Sequence, residues 1–172
     1  MSKDKLRLIM RAFIISQFNY APLTWMFHSR TLNNKINKMH ERALRLVYDD
    51  ENLTFQELLD LDGSITVHHK NIQRLAIEMF KIKNNLSPPL MNDIFKENTN
   101  TYDLRKKRCW EPTNVRTVHF GTETISYRGP KTWDMVPAVS LQEFKNKIKT
   151  WKPIECTCRL CKTFISQLGF ID

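Results

Sequence analysis

Glycine is scarce in this sequence, with four residues in a chain of 172. The phosphate-binding loop and the G-x-G-x-x-G dinucleotide motif are both absent, so the sequence offers no glycine loop for a nucleotide. The scarcity also disfavours an all-β fold, because tight turns between short strands depend on glycine. The longest segment without Asp, Glu, Lys or Arg covers residues 12–29, and it contains Gln17, Asn19 and Pro22. A membrane helix needs about 20 mostly apolar residues, so the sequence predicts no membrane span.

The positive charge is unevenly distributed along the chain. The net charge is +9, yet residues 1–48 alone carry +7 and residues 49–63 carry −6. The remainder is basic again, with +5 over residues 64–109 and +3 over residues 110–172. A basic surface interrupted by one acidic segment suits a polyanionic partner, such as RNA or DNA. A solvated surface without such a partner has the same composition.

Three of the four cysteines lie within six residues, as Cys156, Cys158 and Cys161. This pattern differs from a secreted disulfide framework, and cysteines spaced C-x-C pair poorly with each other. We therefore expect reduced thiols and a nuclear or cytoplasmic location. The functional interpretation is a zinc site, in which the three thiolates and Cys109 or His119 complete a tetrahedron. The alternative is three reduced thiols in a short turn.

Apolar residues recur at helical spacing through most of the chain. Thr54 with Glu57 and Ser140 with Glu143 match the capping-box pattern of helix N-termini. The pattern predicts an amphipathic helix at the start of the chain and further helices over residues 32–48, 55–61, 67–85 and 90–95. The apolar face of the second of these helices is expected to comprise Ile36, Met39, Ala43, Leu46 and Val47.

The C-terminal third has a different pattern. Two β-rich runs, at residues 115–120 and 124–127, flank Gly121 and Thr122 and predict a small β-hairpin. Gly129 with Pro130 is expected to end the hairpin, and an amphipathic helix follows Ser140. The predicted fold class is mainly α, with a helical N-terminal part and a C-terminal part made of a small β-hairpin plus helix. The predicted domains are a helical region at 1–96, a basic linker at 97–114 and a C-terminal part at 115–172.

Two basic clusters are candidate nucleic-acid contacts. The first lies at spacings of three, four and three on one predicted helix, which places its members along a single stripe; they are Lys35, Lys38, Arg42 and Arg45. The second adjoins an aromatic residue, Trp110, and suits phosphate contact with base stacking; it comprises Arg105, Lys106, Lys107 and Arg108. A solvated helix flank is the alternative for the first cluster. A nuclear-import signal or a solvated loop is the alternative for the second.

Three other patterns lack a complete chemical site. His40 and Glu41 begin like the zinc-protease motif H-E-x-x-H, but Leu44 stands where the second histidine ligand is needed. Asp49 and Asp50 follow an aromatic residue, as in polymerases, but they are expected to end a helix and open a loop. His68 and His69 are adjacent on a helix and point about 100° apart, so they are expected to be polar surface or backbone-bonding groups. No stand-alone enzyme is predicted.

Several separated motifs resemble the C-terminal end of LINE-type (non-LTR) retrotransposon reverse transcriptases. These motifs cover nearly the whole chain, and Phe144 with Lys145 adds to them. They lie at residues 16–20 (SQFNY), 33–38 (NNKINK), 40–45 (HERALR), 129–134 (GPKTWD) and 156–162 (CTCRLCK).

The resemblance implies the helical thumb-like region and the post-polymerase segment of an RNA-directed DNA polymerase. The palm aspartates that hold catalytic magnesium in that family are absent, so the chain is expected to be a non-catalytic fragment. RNA or DNA and an upstream polymerase domain are the expected partners. Ala21 replaces an expected cysteine, and the segment from Pro137 to Ser140 is shorter than the family's. The alternative function is a helical protein-interaction module, or a decayed fragment with no nucleic-acid role.

Overall fold

The structure is a computed structural model that describes residues 2–99, 109–111, 113–117, 120–136, 140–153 and 156–161. Helices dominate it, and the described residues contain no β-strand, which confirms the mainly α fold class. The α-helices are α1 (Lys3–Ile9), α2 (Pro22–Trp25), α3 (Arg30–Tyr48), α4 (Phe55–Asp62), α5 (Val67–Lys83), α6 (Leu90–Ile94), α7 (Ile125–Met135) and α8 (Leu141–Thr150). A π-helical turn at Met10–Ile15 continues α1, and 3₁₀ turns occupy Gln17–Asn19 and Gly121–Glu123.

The chain divides into two compact units, of which the first is Met1–Asn71. Its core joins α3 and α4 with the π-helical turn that follows α1. The buried members of this cluster are Met10, Ala43, Leu44, Val47, Leu58 and Leu59. Met39 and Leu46 were predicted to face inward, and this is wrong, since their exposed fractions are 54% and 73%. Two nearby residues are buried instead. They are His40, one position after Met39, and Leu44, two positions before Leu46.

A buried carboxylate links the first helix to α3 and α4. Asp62 closes α4 and is 3% exposed. Its Oδ1 accepts from Arg7 Nε at 2.6 Å and from the Tyr48 hydroxyl at 3.2 Å. Arg11 adds a cation at 3.6 Å. Because a buried charge is costly unless it is paired, these contacts account for an acidic side chain in this core.

The two helix N-termini with a predicted cap, those of α4 and α8, follow the predicted capping chemistry. Thr54 and Glu57 form the predicted capping box of α4, and the Ser140 side chain accepts from the Glu143 amide at 3.2 Å at the start of α8. The N-cap of α3 is Ser29, whose hydroxyl accepts from the Leu32 amide at 3.3 Å, although the helix was expected to begin at residue 32. Helix termini therefore follow local sequence chemistry closely.

The second unit is Ile72–Asp172, and an aromatic core holds it together. Phe80 of α5 stacks on Phe144 of α8, with ring centroids 4.3 Å apart and planes inclined by 16°. Phe95 meets Trp110 edge-on at 6.1 Å between centroids. The buried members of this cluster are Met79, Phe80, Ile82, Phe95, Trp110, Trp133, Val136 and Phe144.

The predicted β-hairpin is wrong for the residues that the structure describes. Residues 121–123 form a 3₁₀ turn, and helix α7 begins at Ile125, where the second strand was expected. The buried residues of α7 lie at helical spacing and include Gly129, Thr132 and Trp133. Burial of this face outweighs the β-propensity of residues 124–127, which is a weak and context-dependent preference.

Pro130 lies inside α7, although the Gly-Pro pair was expected to end a structural element. A proline in a helix leaves the carbonyl four residues earlier without its amide donor. That carbonyl belongs to Ser126, and the Thr113 hydroxyl donates to it at 2.9 Å. The hydroxyl thus replaces the missing backbone donor and lets the helix continue through the proline.

Gly129 brings α7 close to two core side chains. A Cβ atom at this position would lie 2.6 Å from Met79 Sδ and 2.7 Å from Phe95 Cε1. We expect Gly129→Ala to lower the free energy of unfolding by about 1–3 kcal/mol through overpacking, although alanine favours a helix by about 1 kcal/mol over glycine. Urea denaturation measures the change, and Lys131→Ala, on the exposed side of α7, is the control. Equal or higher stability of the glycine variant would contradict the close packing.

The predicted linker at residues 97–114 stays a prediction, because residues 100–108 and 112 lie outside the described part. Within the described part of this linker, Glu97 and Trp110 form an isolated antiparallel bridge, and Trp110 is buried. Where the structure describes the chain, no helix combines the length and the apolar character needed to cross a bilayer.

Candidate functional site

The thiols of the C-terminal cysteine cluster converge. Cys156, Cys158 and Cys161 are buried, with exposed fractions of 5%, 2% and 3%, and all are free cysteines. The Cys156 thiol is hydrogen-bonded with both of the others. The Cys161 amide donates to Cys158 Sγ at 3.4 Å, across the C-x-x-C turn. The sequence therefore folds into a short turn that brings the three thiols close together.

Hydrogen bonds among the thiols shift the pKa values of Cys156 and Cys161 in opposite directions. Hydrogen bonds from Cys158 and then Cys161 lower the pKa of Cys156 well below its ordinary value, and burial opposes this shift. The positive charge of Arg128 also lowers the pKa of Cys156. The hydrogen bond with Cys156 is the largest cause that raises the pKa of Cys161. The cluster thus favours a thiolate at Cys156 that is stabilised by hydrogen bonds from the neighbouring thiols.

An ion pair supports the cysteine segment. The Arg128 guanidinium, on α7, donates to Glu123 Oε1 at 2.5 Å, and both side chains are largely buried. The same oxygen accepts from the Arg159 amide at 3.4 Å, within the C-x-x-C turn. Glu123 therefore connects the backbone of the cysteine segment to α7 and keeps the Arg128 charge beside Cys156.

Two of the cysteines form a candidate metal site. The sulfur atoms of Cys158 and Cys161 lie within 4.8 Å of each other, and both residues are buried.

His68 was expected to be a polar surface or backbone-bonding group. The first of these two roles is wrong, because its exposed fraction is 4%. His68 lies in the first turn of α5, on the same face as the buried Ile72 and Leu75. That shared face is the sequence signal that could have indicated its burial.

The predicted fourth ligands do not enter this group within the described residues. Cys109 is half-buried and lies beside Lys83, whose pKa is raised mainly by a hydrogen bond to Glu97 and further by Cys109. His119 lies outside the described residues. Of the predicted metal ligands, the structure thus brings together Cys156, Cys158 and Cys161.

The basic stripe of α3 is partly available for binding. Lys35, Lys38 and Arg42 are exposed. Arg45 is half-buried, and its guanidinium donates to Glu41 Oε1 at 2.7 Å and to the Glu51 carbonyl at 2.5 Å. These contacts tie Arg45 to the end of the helix and to the loop after it. The second predicted cluster, at residues 105–108, lies outside the described residues.

The other motifs have structural roles in the first unit. His40 is buried and meets the Phe55 ring edge-on at 5.6 Å between centroids. Asp49 ends α3 in the left-handed conformation, and Asp50 Oδ1 accepts from the Asn52 amide at 2.8 Å. The aspartate pair therefore shapes a loop, as expected from the sequence.

Comparisons of this chain with protein-family models, with curated proteins and with solved structures found no match. The resemblance to LINE-type reverse transcriptases accordingly stays a prediction.

Proposed function

We propose that this chain is a non-catalytic nucleic-acid-binding segment, similar to the C-terminal region of a LINE-type reverse transcriptase, and that α3 supplies its main contact surface. One observation carries the proposal. Lys35, Lys38 and Arg42 are exposed along one side of α3, and among the described residues no carboxylate lies within ion-pair distance of them. They form the α3 stripe.

The spacing of the α3 stripe suits a phosphate backbone. A helix rises about 1.5 Å per residue, so the three cations follow one another at steps of roughly 4.5 and 6 Å along the axis. Each cation that neutralises a phosphate releases a counterion, and this release drives binding at moderate salt. Lysine and arginine can bind phosphates without a fixed base contact, so the proposed binding is weakly dependent on sequence. RNA and DNA both fit this chemistry.

The test is the triple variant Lys35→Gln/Lys38→Gln/Arg42→Gln. Each lost phosphate contact lowers the slope of log affinity against log salt by about 0.9 on duplex DNA and about 0.7 on a single strand. We therefore expect the slope to fall by about 2–3 in total. Fluorescence anisotropy with labelled single-stranded RNA and labelled duplex DNA, over a range of salt concentrations, measures it.

The control for this test removes the same charge elsewhere. Arg116→Gln/Lys145→Gln/Lys149→Gln replaces three exposed cations outside α3. If both triple variants bound with the same affinity and slope, the α3 stripe would have no special role. Absence of salt-dependent binding by the unmodified protein would refute the nucleic-acid function altogether.

The residues at 105–108 are a second proposed nucleic-acid contact. We propose a nuclear or cytoplasmic location, where the protein would meet RNA or DNA.

A second function is favoured by exposed apolar side chains on the first helical segment. Leu8 and Phe13 have exposed fractions of 69% and 72%. Such residues suit contact with another protein, such as an upstream polymerase domain. In this alternative the α3 stripe would be dispensable, whereas Leu8→Gln/Phe13→Gln would abolish co-purification with that domain.

We also propose zinc as the cofactor of the cysteine cluster. Zinc prefers thiolate and imidazole ligands, and structural sites with three cysteines and one histidine are a standard set. Three neighbouring buried thiols fit that chemistry. Mg²⁺ and Ca²⁺ prefer oxygen ligands, and the thiols offer only sulfur.

A further inference from the structure

We propose that Glu123 is a positioning residue of the cysteine metal site, and that its carboxylate holds the C-x-x-C turn in the conformation that binds the metal. The inference rests on the zinc part of the proposed function and adds a residue that is not itself a metal ligand. It is carried by one juxtaposition. A single oxygen atom, Glu123 Oε1, accepts from the Arg128 guanidinium at 2.5 Å and from the Arg159 amide at 3.4 Å.

The ion pair with Arg128 fixes the Glu123 carboxylate. Glu123 ends the 3₁₀ turn that precedes α7, and Arg128 lies five positions later on that helix. The exposed fractions of the two side chains are 8% for Glu123 and 11% for Arg128. A buried pair of this kind is costly to break, because removal of one partner leaves an uncompensated charge. The pair therefore holds the carboxylate in place independently of the cysteine segment.

The Arg159 amide is the group through which this carboxylate acts on the thiols. Arg159 lies between Cys158 and Cys161, whose sulfur atoms are within 4.8 Å of each other. Zinc–sulfur bonds of about 2.3 Å place two sulfurs of one tetrahedral zinc ion about 3.8 Å apart, so the turn is close to the metal-bound geometry. An acceptor that fixes the backbone between the two cysteines lowers the cost of ordering this turn when metal binds.

The charges around the cluster give the inference a definite sign. Three thiolates outweigh the charge of one Zn²⁺ ion, so the loaded cluster is an anion. After the hydrogen bonds from Cys158 and Cys161, the positive charge of Arg128 is a further cause that lowers the pKa of Cys156. If Glu123 acted through charge alone, its removal would leave the Arg128 charge uncompensated and would strengthen metal binding. If Glu123 positions the turn, its removal weakens metal binding.

The test uses the full chain purified without chelators. Elemental analysis measures bound zinc, and competition with a chromophoric chelator measures zinc affinity. We expect Glu123→Ala, which removes both hydrogen bonds, to weaken the affinity by about 10–100-fold, the usual cost of losing an outer-shell partner. Glu123→Gln keeps an acceptor oxygen at the same distance from the backbone and should recover most of the affinity. Glu78→Ala is the matched control, because it removes a carboxylate that pairs with Lys81 at 2.6 Å on α5.

A further variant separates position from charge and keeps the proposal testable if Glu123→Ala does not fold. Glu123→Asp keeps the negative charge and withdraws the carboxylate by one methylene group, so we expect it to weaken zinc affinity by about 10-fold or more. Bound Co²⁺ reports the geometry of the site through its visible bands. These bands should shift in Glu123→Ala and Glu123→Asp, whereas a general loss of stability would leave the spectrum per bound cobalt ion unchanged.

The possible results distinguish this inference from the zinc proposal. Zinc near zero in the unmodified protein would refute zinc binding and, with it, the role of Glu123. Bound zinc with unchanged or higher affinity in Glu123→Ala or Glu123→Asp would refute only the positioning role. Neither result affects the nucleic-acid test on α3.

Discussion

Phe144→Ala is expected to lower the free energy of unfolding by about 3–5 kcal/mol, the range typical of a buried phenylalanine. Phe144 is 3% exposed and stacks on Phe80 at 4.3 Å between ring centroids. Removing the ring deletes both this stack and the contact surface that α8 presents to the aromatic core. Bulky neighbours surround the resulting cavity and limit its collapse, and a cavity that persists adds to the cost. Urea denaturation followed by far-UV circular dichroism measures the change.

The matched control lies three residues away on the same helix. Leu141 is 48% exposed, so Leu141→Ala should cost less than about 1 kcal/mol, as for most exposed positions. Both substitutions remove a large apolar side chain from α8 and keep its helix propensity similar. Comparable losses for the two variants would show that α8 contributes through its helix and not through the ring of Phe144.

Local sequence chemistry predicted much of the helical framework. The capping box at Thr54 and the cap at Ser140 needed only neighbouring residues, and both are present. Helix α3 was also predicted within two residues of its observed start. These features depend on contacts within one or two helical turns, and a sequence displays such contacts directly.

Long-range packing decided the elements that the sequence did not predict. The segment at residues 124–127 has β-branched and aromatic residues, yet it opens helix α7 because Trp133 and Gly129 need one common buried face. The proline in that helix is tolerated through the Thr113 hydroxyl, a partner 17 positions earlier in the chain. Neither the buried face nor that distant hydroxyl can be read from local propensity.

The cysteine cluster was predicted from local sequence, whereas the burial of His68 was not. The three cysteines are neighbours in sequence, so their convergence was predictable from their spacing alone. The burial of His68 was not predicted. Its position on the buried face of α5 was visible in the helical periodicity, but adjacency to His69 suggested a polar surface or backbone-bonding group instead. Helical periodicity is therefore better evidence for burial than the polarity of a neighbouring residue.

His40 is expected to make the protein less stable as the pH falls. Burial is the main cause that lowers the pKa of His40 to about 4, while Asp62 raises it and Lys70 lowers it. The unfolded chain binds this proton near the ordinary pKa of about 6.5. The two pKa values give the direction of the pH effect. Above about pH 6.5 the imidazole is neutral in the folded and in the unfolded chain, so His40 does not lower the stability. Between about pH 6.5 and pH 4 the unfolded chain binds the proton more tightly than the folded chain, so the stability falls.

The size of this effect follows from the same two pKa values. A difference of about 2.5 units corresponds to about 3 kcal/mol, lost progressively between pH 6.5 and pH 4. Urea denaturation at several pH values should therefore show a falling stability for the unmodified protein. His40→Leu removes the titrating group and packs a similar apolar volume against Phe55, whose ring meets His40 edge-on.

The informative quantity is the stability difference between the unmodified protein and His40→Leu at each pH. Other groups that titrate in this range are common to both proteins, and their contributions cancel in the difference. We expect the difference to change by about 3 kcal/mol from pH 7.5 to pH 4, against the unmodified protein. A constant difference over this range would show that His40 can accept a proton in the folded state at little cost. In that case water or the Asp62 carboxylate would have to reach the imidazole, and the core between α3 and α4 would be more open than the structure indicates.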